Sequence, residues 1–192
     1  TGSASIKVCA AAILLNVSQD QATAAEQIRR GAVQSLKAVC LHPVDAKPEE
    51  AEALVDSAAR TLVNLACEDE SCVLMVEHDV VSLLVSLAEG AGENVPILRN
   101  TAAAMRNLAR RESCRKALVD QGLSSQLVRF CALDEGDERF KPVFGFSVGA
   151  LVNLALCPDN ATALAASKSL RALVRFARRT HPSKTGVLNT IL

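Results

Sequence analysis

The sequence repeats one phrase four times with small changes, and each copy is centred on an asparagine. The copies read AAAILLNVS, AARTLVNLA, AAAMRNLA and VGALVNLA, and their asparagines are separated by 48, 43 and 46 residues. The four central residues are Asn16, Asn64, Asn107 and Asn153. Self-similarity at such a period indicates a solenoid, in which each unit buries its apolar face only against its neighbours. The sequence therefore predicts a repeat array.

The four copies stay in register well beyond their asparagines. Fifteen positions after each asparagine stand, in order, Gly31, Asp79, Gly122 and Lys168. Twenty positions after each asparagine the sequence has a leucine. Agreement at two distant positions is difficult to produce by chance in a chain rich in alanine and leucine. At the fifteenth position Asp79 can cap a helix, whereas Lys168 cannot.

The composition predicts an all-α fold. Hydrophobic residues make up 49% of the 192 residues but aromatic residues only 3%, with no tryptophan or tyrosine. The core must therefore be built from alanine, leucine and valine, which suits closely packed helices. Strand-rich folds usually contain more aromatic residues and threonine.

Turn and capping residues divide each unit into one long, one short and one medium helix. Pro48, the pair Asn94 and Pro96, and Pro142 are expected to begin long helices, because proline is favoured in the first turn of a helix. Ser113 is expected to cap a short helix.

We predict a single array over residues 1–192. The sequence starts inside a helical unit without an initiator methionine, which favours a fragment of a longer protein. The predicted units are 4–18 (a lone third helix), 21–67, 71–110, 113–157 and 160–179 (incomplete).

The repeat resembles the armadillo repeat over about residues 5 to 179. The third unit carries the resemblance most fully, with AAAMRNLA at 102–109, ALVDQG at 117–122 and QLV at 126–128. The resemblance implies a right-handed α-solenoid of three-helix armadillo repeats. It also implies that the asparagine-bearing third helices line a concave groove, which binds extended peptides or partner proteins.

One departure from the family concerns the position four residues before each asparagine. In the nuclear-import branch this position normally holds a tryptophan, but here it holds Ala12, Arg60, Ala103 and Gly149. Because the chain has no tryptophan, it lacks the side chains that would stack on the lysines of a localisation signal. This argues against a role as an import receptor.

Helix geometry gives an argument about the asparagines that is independent of the family. The third long helix has an apolar stripe that includes Leu98, Ala102 and Met105, and Asn107 points nearly opposite this stripe. One interpretation is a structural amide that bonds to a neighbouring helix. The other is a ladder of amides, each of which offers a donor and an acceptor to the main chain of a ligand.

Basic residues accompany the asparagines on the predicted groove. Arg99, Arg106 and Arg110 flank Asn107 on one sector of the helix, which suits acidic segments of a partner through charge-assisted contacts. The alternative is a solvated helix face. The full predicted set of groove residues is Asn16, Asn64, Asn100, Asn107, Asn153, Arg60, Arg99, Arg106 and Arg110.

Several other functions are not expected. No catalytic set is suggested by spacing, so we expect no enzyme activity, and no cofactor or metal site is predicted. Lysine and arginine equal aspartate and glutamate at 21 each, which gives no general attraction to nucleic acid. No apolar run reaches the ~18 residues that a membrane span needs.

The seven cysteines are an odd number without a C-x-x-C pair, and they fit small core residues in a reducing compartment. We therefore expect a cytoplasmic protein, with a cytoskeletal, ciliary or nuclear location as alternatives.

The favoured function is a non-enzymatic scaffold that binds a protein or peptide partner in the groove. The alternative is an internal structural segment of a long solenoid in a cytoskeletal or ciliary assembly. The sequence does not indicate an oligomeric state.

Overall fold

The computed structural model describes residues 2–40, 47–133, 137–166, 169–171 and 173–174. Over these ranges the chain is helical and contains no strand, which confirms the all-α prediction. Short 3-10 turns at Gln21–Thr23, Glu138–Phe140 and Pro158–Asn160 join some of the helices. The α-helices are α1 (Gly2–Val17), α2 (Ala24–Arg29), α3 (Ala32–Cys40), α4 (Pro48–Leu65), α5 (Asp69–Glu77), α6 (Val80–Gly90), α7 (Val95–Arg110), α8 (Glu112–Asp120), α9 (Leu123–Leu133), α10 (Lys141–Ala155) and α11 (Ala161–Ala166).

The long helices pack side by side in the order of the sequence. Helix α1 packs on α4, α4 packs on α7, and α7 packs on α10. The short helices form a second row, in which α2 contacts α5 and α5 contacts α8, and α3 contacts α6 in a third row. Equivalent parts of successive units are therefore neighbours in space. The division into the five predicted units remains a prediction.

The starts of the long helices follow the predicted signals. Pro48 is the first residue of α4, and Pro96 and Pro142 are the second residues of α7 and α10. Asn94 caps α7, because its side chain accepts a hydrogen bond of 3.2 Å from the backbone N–H of Ile97. These residues satisfy or remove donors that the first turn of a helix leaves unpaired.

The prediction that Ser113 caps the short helix is wrong. Helix α8 begins at Glu112, with Arg111 at the capping position, so Ser113 already lies inside the helix. The Arg111 side chain instead contacts residues where α4 is followed by α5. Its guanidinium lies 2.6 Å from the carboxylate of Asp69 and donates to the carbonyl oxygen of Cys67.

The residue fifteen positions after each asparagine has a positive φ angle in the three units where the structure describes it. The φ angle is 90° at Gly31, 53° at Asp79 and 87° at Gly122. This left-handed region favours glycine, and aspartate is one of the few other residues that visit it. Asp79 stands at the capping position of α6, as predicted. The fourth residue of the set, Lys168, lies outside the described residues.

Contacts with two neighbours hold Asp79 in this conformation. Its carboxylate accepts hydrogen bonds from the Lys37 ammonium at 2.9 Å and from the Ser82 hydroxyl at 2.7 Å. Partial burial raises the pKa of Asp79, but the bonds from Lys37 and Ser82 outweigh it and hold the pKa below its ordinary value. The stabilisation from these contacts is therefore present near neutral pH and is lost as the pH falls through the lowered pKa.

Two substitutions at Asp79 separate the effect of backbone strain on stability from the effect of losing the carboxylate. Asp79→Ala and Asp79→Gly both remove the contacts with Lys37 and Ser82, but only alanine is strained at a positive φ. We expect Asp79→Ala to have a free energy of unfolding about 1 kcal/mol lower than Asp79→Gly. Urea denaturation followed by circular dichroism measures the difference, and equal stabilities would show that this turn is not left-handed.

The outer face of α1 is apolar and exposed. Ile13 and Val17 are 61% and 49% exposed. Ala104 and Leu108 of α7, at the same distances from their own asparagine, are 0% exposed. In later units these positions are buried because each long helix packs on the one before it. Helix α1 therefore presents a packing face that no described helix covers.

Candidate functional site

The four repeated asparagines lie on α1, α4, α7 and α10, at equivalent positions of helices that pack in sequence order. Asn16 is exposed, and Asn64, Asn107 and Asn153 are each partly buried. We call the side of these four helices that carries the asparagines the asparagine face. None of its nine predicted residues belongs to the buried core.

The first half of the asparagine face contains a depression of about 260 Å³, which we call the α4 pocket. It brings together three predicted site residues, Arg60, Asn64 and Asn100. Leu15, Gln19 and Val63 complete its lining. Leu15 and Gln19 were not predicted to belong to the site, although they stand at the positions of α1 that match Arg106 and Arg110 of α7.

The second half of the asparagine face contains another depression of about 260 Å³, which we call the α10 pocket. It brings together Arg106, Arg110 and Asn153, three residues that the sequence predicts for one groove. The remaining lining residues come from α10 and are Gly145, Val148, Gly149 and Val152. The predicted residues Asn16, Asn107 and Arg99 line neither pocket.

Asn64 makes a hydrogen bond that joins two units. Its side-chain amide donates to the hydroxyl of Ser18 at 3.0 Å, and the same hydroxyl donates to the carbonyl oxygen of Leu15 at 2.8 Å. Ser18 is fully buried, so this hydroxyl has no water partner in place of Asn64. For Asn64, the interpretation as a structural amide therefore has direct support.

The amides of Asn107 and Asn153 differ from that of Asn64. Neither amide makes a side-chain hydrogen bond with any residue in the described part of the chain. The reason lies in the sequence, because the positions that match Ser18 in the preceding units are Ala66 and Ala109. Alanine offers no polar side-chain atom, so Asn107 and Asn153 keep their donors and acceptors available to solvent or to a ligand.

The difference between these amides predicts different effects on stability. Asn64→Ala removes an inter-unit hydrogen bond, which contributes about 1 kcal/mol, whereas Asn107→Ala removes none. Because both changes gain the same helix propensity, we expect Asn64→Ala to be less stable than Asn107→Ala by about 1 kcal/mol. Urea denaturation provides the comparison. An equal change in both variants would contradict the division of the asparagines into paired and unpaired residues.

The arginines of the asparagine face also differ in their pairing. Arg60 forms an ion pair with Asp56 one turn earlier, with an Nη1–Oδ2 distance of 3.4 Å. Among the described residues, no carboxylate lies within ion-pair distance of Arg99, Arg106 or Arg110. Arg106 and Arg110 stand four residues apart on one helix, where like charges are destabilising by a few tenths of a kcal/mol. The face therefore carries positive charge that the fold does not neutralise.

Arg106 lies against the surface of α10. Its guanidinium carbon is 5.8 Å from the centre of the Phe146 ring. A Cβ atom at Gly149 would be 3.2 Å from the Nε atom of Arg106, and a Cβ at Gly145 would meet nothing within 4 Å. Glycine at 149 therefore leaves room for the Arg106 side chain against α10, and glycine at 145 leaves the helix backbone open to solvent. Sequence reasoning missed Gly145 and Phe146, although the segment GFSVG within a helix was a possible signal.

An added Cβ at Gly145 would meet no neighbouring atom within 4 Å, so packing does not require glycine there and its replacement gives a further stability test. Alanine is about 1 kcal/mol more favourable than glycine in a helix interior. We expect Gly145→Ala to raise the free energy of unfolding by about 0.5–1 kcal/mol in urea denaturation. Gly122→Ala serves as the contrasting control and should lower it, because Gly122 has a φ of 87°. A loss of stability in Gly145→Ala would reveal a packing constraint at that position.

The cysteines are free thiols, and the structure contains no disulfide among the described residues. Burial raises the pKa of Cys72 to about 12 and that of Cys40 to about 11. Both groups therefore stay protonated at neutral pH, unlike the thiolates that act as nucleophiles or metal ligands. In the described part of the chain, no group of three or more histidine, cysteine or acidic side chains is placed to hold a metal ion.

Within the described residues, no single helix is both long enough and apolar enough to cross a membrane. Two pairs of consecutive helices reach the required length and composition only together. One pair joins α5 to α6 with a bend of 82°. The other combines Glu138–Ala155 with Pro158–Ala166 and bends by 110°.

Comparisons with protein-family models, with curated proteins and with solved structures find no match to this chain. The armadillo resemblance therefore depends on the repeated residues alone.

Proposed function

We propose that the chain is a right-handed α-solenoid of three-helix armadillo repeats. The sequential packing of α1, α4, α7 and α10 supports this proposal, as does the left-handed turn shared by Gly31, Asp79 and Gly122. In such an array each unit is stabilised by its neighbours, and one side of the third helices remains open along the whole length.

We further propose that the asparagine face binds an extended segment of a partner protein, so that the chain acts as a non-enzymatic scaffold. The observation that carries this proposal is the pair of side-chain amides at Asn107 and Asn153, which have no hydrogen-bond partner among the described residues. An amide offers both a donor and an acceptor, which matches the N–H and C=O groups of a peptide main chain. Two such amides on adjacent packed helices favour a ligand that spans both.

The spacing of the helices is compatible with this ligand. Packed helices lie ~8–10 Å apart, and an extended chain advances ~3.3–3.6 Å per residue. Neighbouring amides would therefore meet the peptide every two or three residues. The four asparagine-bearing helices together would accommodate a segment of about ten residues.

Charge and cysteine chemistry support the proposed location, the non-enzymatic role and the choice of a protein partner. The cysteines form no disulfide among the described residues, which fits a protein of the cytoplasm or of another reducing compartment. The balanced net charge gives no general attraction to nucleic acid. The residues that line the α4 and α10 pockets do not combine the acid, base and nucleophile of an enzyme site. Uncompensated arginines on the asparagine face favour partners with acidic segments.

Selection from a library of random linear peptides tests the scaffold function without a known partner. We expect peptides enriched on the wild-type chain to bind at least about tenfold more weakly to the double variant Asn107→Ala, Asn153→Ala, since each amide bond contributes about 1 kcal/mol. Fluorescence anisotropy measures both affinities. The control Ser125→Ala changes an exposed residue of α9 and should leave binding unchanged.

Two results would contradict the scaffold proposal. The first is enrichment of no peptide on the folded wild-type chain. The second is a set of peptides that bind the double variant as tightly as the wild type, which would place the binding surface elsewhere.

The second candidate function is an internal structural segment of a longer solenoid. The outer face of α1 favours it, because Ile6 is 70% exposed and Ile13 and Val17 are also open to solvent. The peptide selection separates the two candidates. A purely structural segment needs no available amides and gives no binding that depends on Asn107 and Asn153.

A further inference from the structure

The α10 pocket combines three features that the packing of the fold does not require. Two guanidiniums, those of Arg106 and Arg110, line it without a carboxylate partner among the described residues. The backbone of α10 is bare at Gly145, where an added Cβ would meet nothing within 4 Å, and the amide of Asn153 has no partner among the described residues. Each feature reduces stability or adds nothing to it, so together they favour a role in recognition.

We propose that the α10 pocket binds a carboxylate side chain, aspartate or glutamate, of an extended peptide. This inference rests on the proposed scaffold function and specifies the chemistry of its ligand. The planar guanidinium offers several N–H donors in a geometry that matches a carboxylate, and charge-assisted bonds of this kind are stronger than neutral ones. A bound carboxylate would also relieve the repulsion between Arg106 and Arg110.

The position of Arg106 prepares it for this contact. Its guanidinium lies over the ring of Phe146, with a distance of 5.8 Å to the ring centre, and its side chain borders Gly149. A cation held against an aromatic ring has fewer conformations available than a free side chain. The entropy lost when a ligand binds is correspondingly smaller.

The glycines of α10 define how closely the ligand approaches. A side chain at Gly145 would extend into the pocket, whereas one at Gly149 would meet Arg106, whose Nε atom would lie 3.2 Å from the added Cβ. With hydrogen in place of a side chain at Gly145, the main chain of a peptide comes close to the helix there while its carboxylate reaches the arginines. The cost is the low helix propensity of glycine, about 1 kcal/mol at each position.

The surroundings of the pocket favour a peptide over a nucleic acid. Val148 and Val152 line the pocket, and Val152 is 44% exposed, so the carboxylate site has an apolar border. Leu156, one turn further along the chain, is 61% exposed. The Arg106 guanidinium already lies over the ring of Phe146, which makes this ring less available for base stacking. An acidic residue close to an apolar residue fits this combination.

Two synthetic peptides of about ten residues test the proposal. Both have blocked ends and a Gly-Ser background, and they differ only in a central Glu-Ser-Val or Gln-Ser-Val. Titration of the wild-type chain, followed by NMR of the arginine side-chain N–H groups, gives the affinity and the site of contact. We expect signals of Arg106 and Arg110 to shift, and the glutamate peptide to bind about fivefold more tightly.

Charge-removing variants complete the experiment. Arg106→Gln and Arg110→Gln should each weaken binding of the glutamate peptide about fivefold and leave the glutamine peptide unaffected. Arg30→Gln is the matched control, because it removes one positive charge from an exposed residue that does not line the pocket. It should change neither affinity.

Three outcomes would overturn the proposal. Equal affinity for the glutamate and glutamine peptides would remove the acidic specificity. Absence of shifts at Arg106 and Arg110 would place the contact elsewhere. Tighter binding of a single-stranded RNA oligonucleotide through the same arginines would replace the peptide with a nucleic acid. The scaffold function is tested separately, by whether the affinity of the selected peptides depends on Asn107 and Asn153.

Discussion

The packing of each long helix on the preceding one is the interaction on which the rest of the structure depends. Helices α1, α4, α7 and α10 bury alanine and leucine in the core, and the small alanine side chains let neighbouring helices approach closely. The inner helices pack on the preceding and the following long helix, but the part of their surface that carries the asparagines lies outside the buried core and is free to vary. The asparagine face is that free part, and its residues are therefore informative about function.

The same packing explains why the repeated asparagines are not equivalent. A partner for the amide exists only where the preceding unit supplies a polar side chain, as Ser18 does for Asn64. Where that unit has Ala66 or Ala109, the amide has no structural use among the described residues. One sequence motif thus contains both a structural residue and candidates for ligand binding, and the residue two positions after the asparagine of the preceding unit separates them.

The helices were predictable because local signals determine them. Pro48, Pro96 and Pro142 mark the long helices within one or two residues, and the glycine turns mark the short ones. The cap predicted at Ser113 is wrong, because Arg111 stands at the capping position and its side chain contacts Asp69 of another helix, which the local sequence does not show. The α10 pocket was only partly predictable for the same reason, since the contact of Arg106 with Phe146 and Gly149 arises from packing between helices.

A crystal structure of the chain in complex with a selected peptide would test the central claim most directly. The account predicts an extended peptide across α7 and α10, with the amides of Asn107 and Asn153 within about 3 Å of its main-chain N–H and C=O groups. In that structure Asn64 should keep its hydrogen bond to Ser18. A peptide bound on another surface would contradict the account, as would hydrogen bonds from Asn107 and Asn153 to the protein itself.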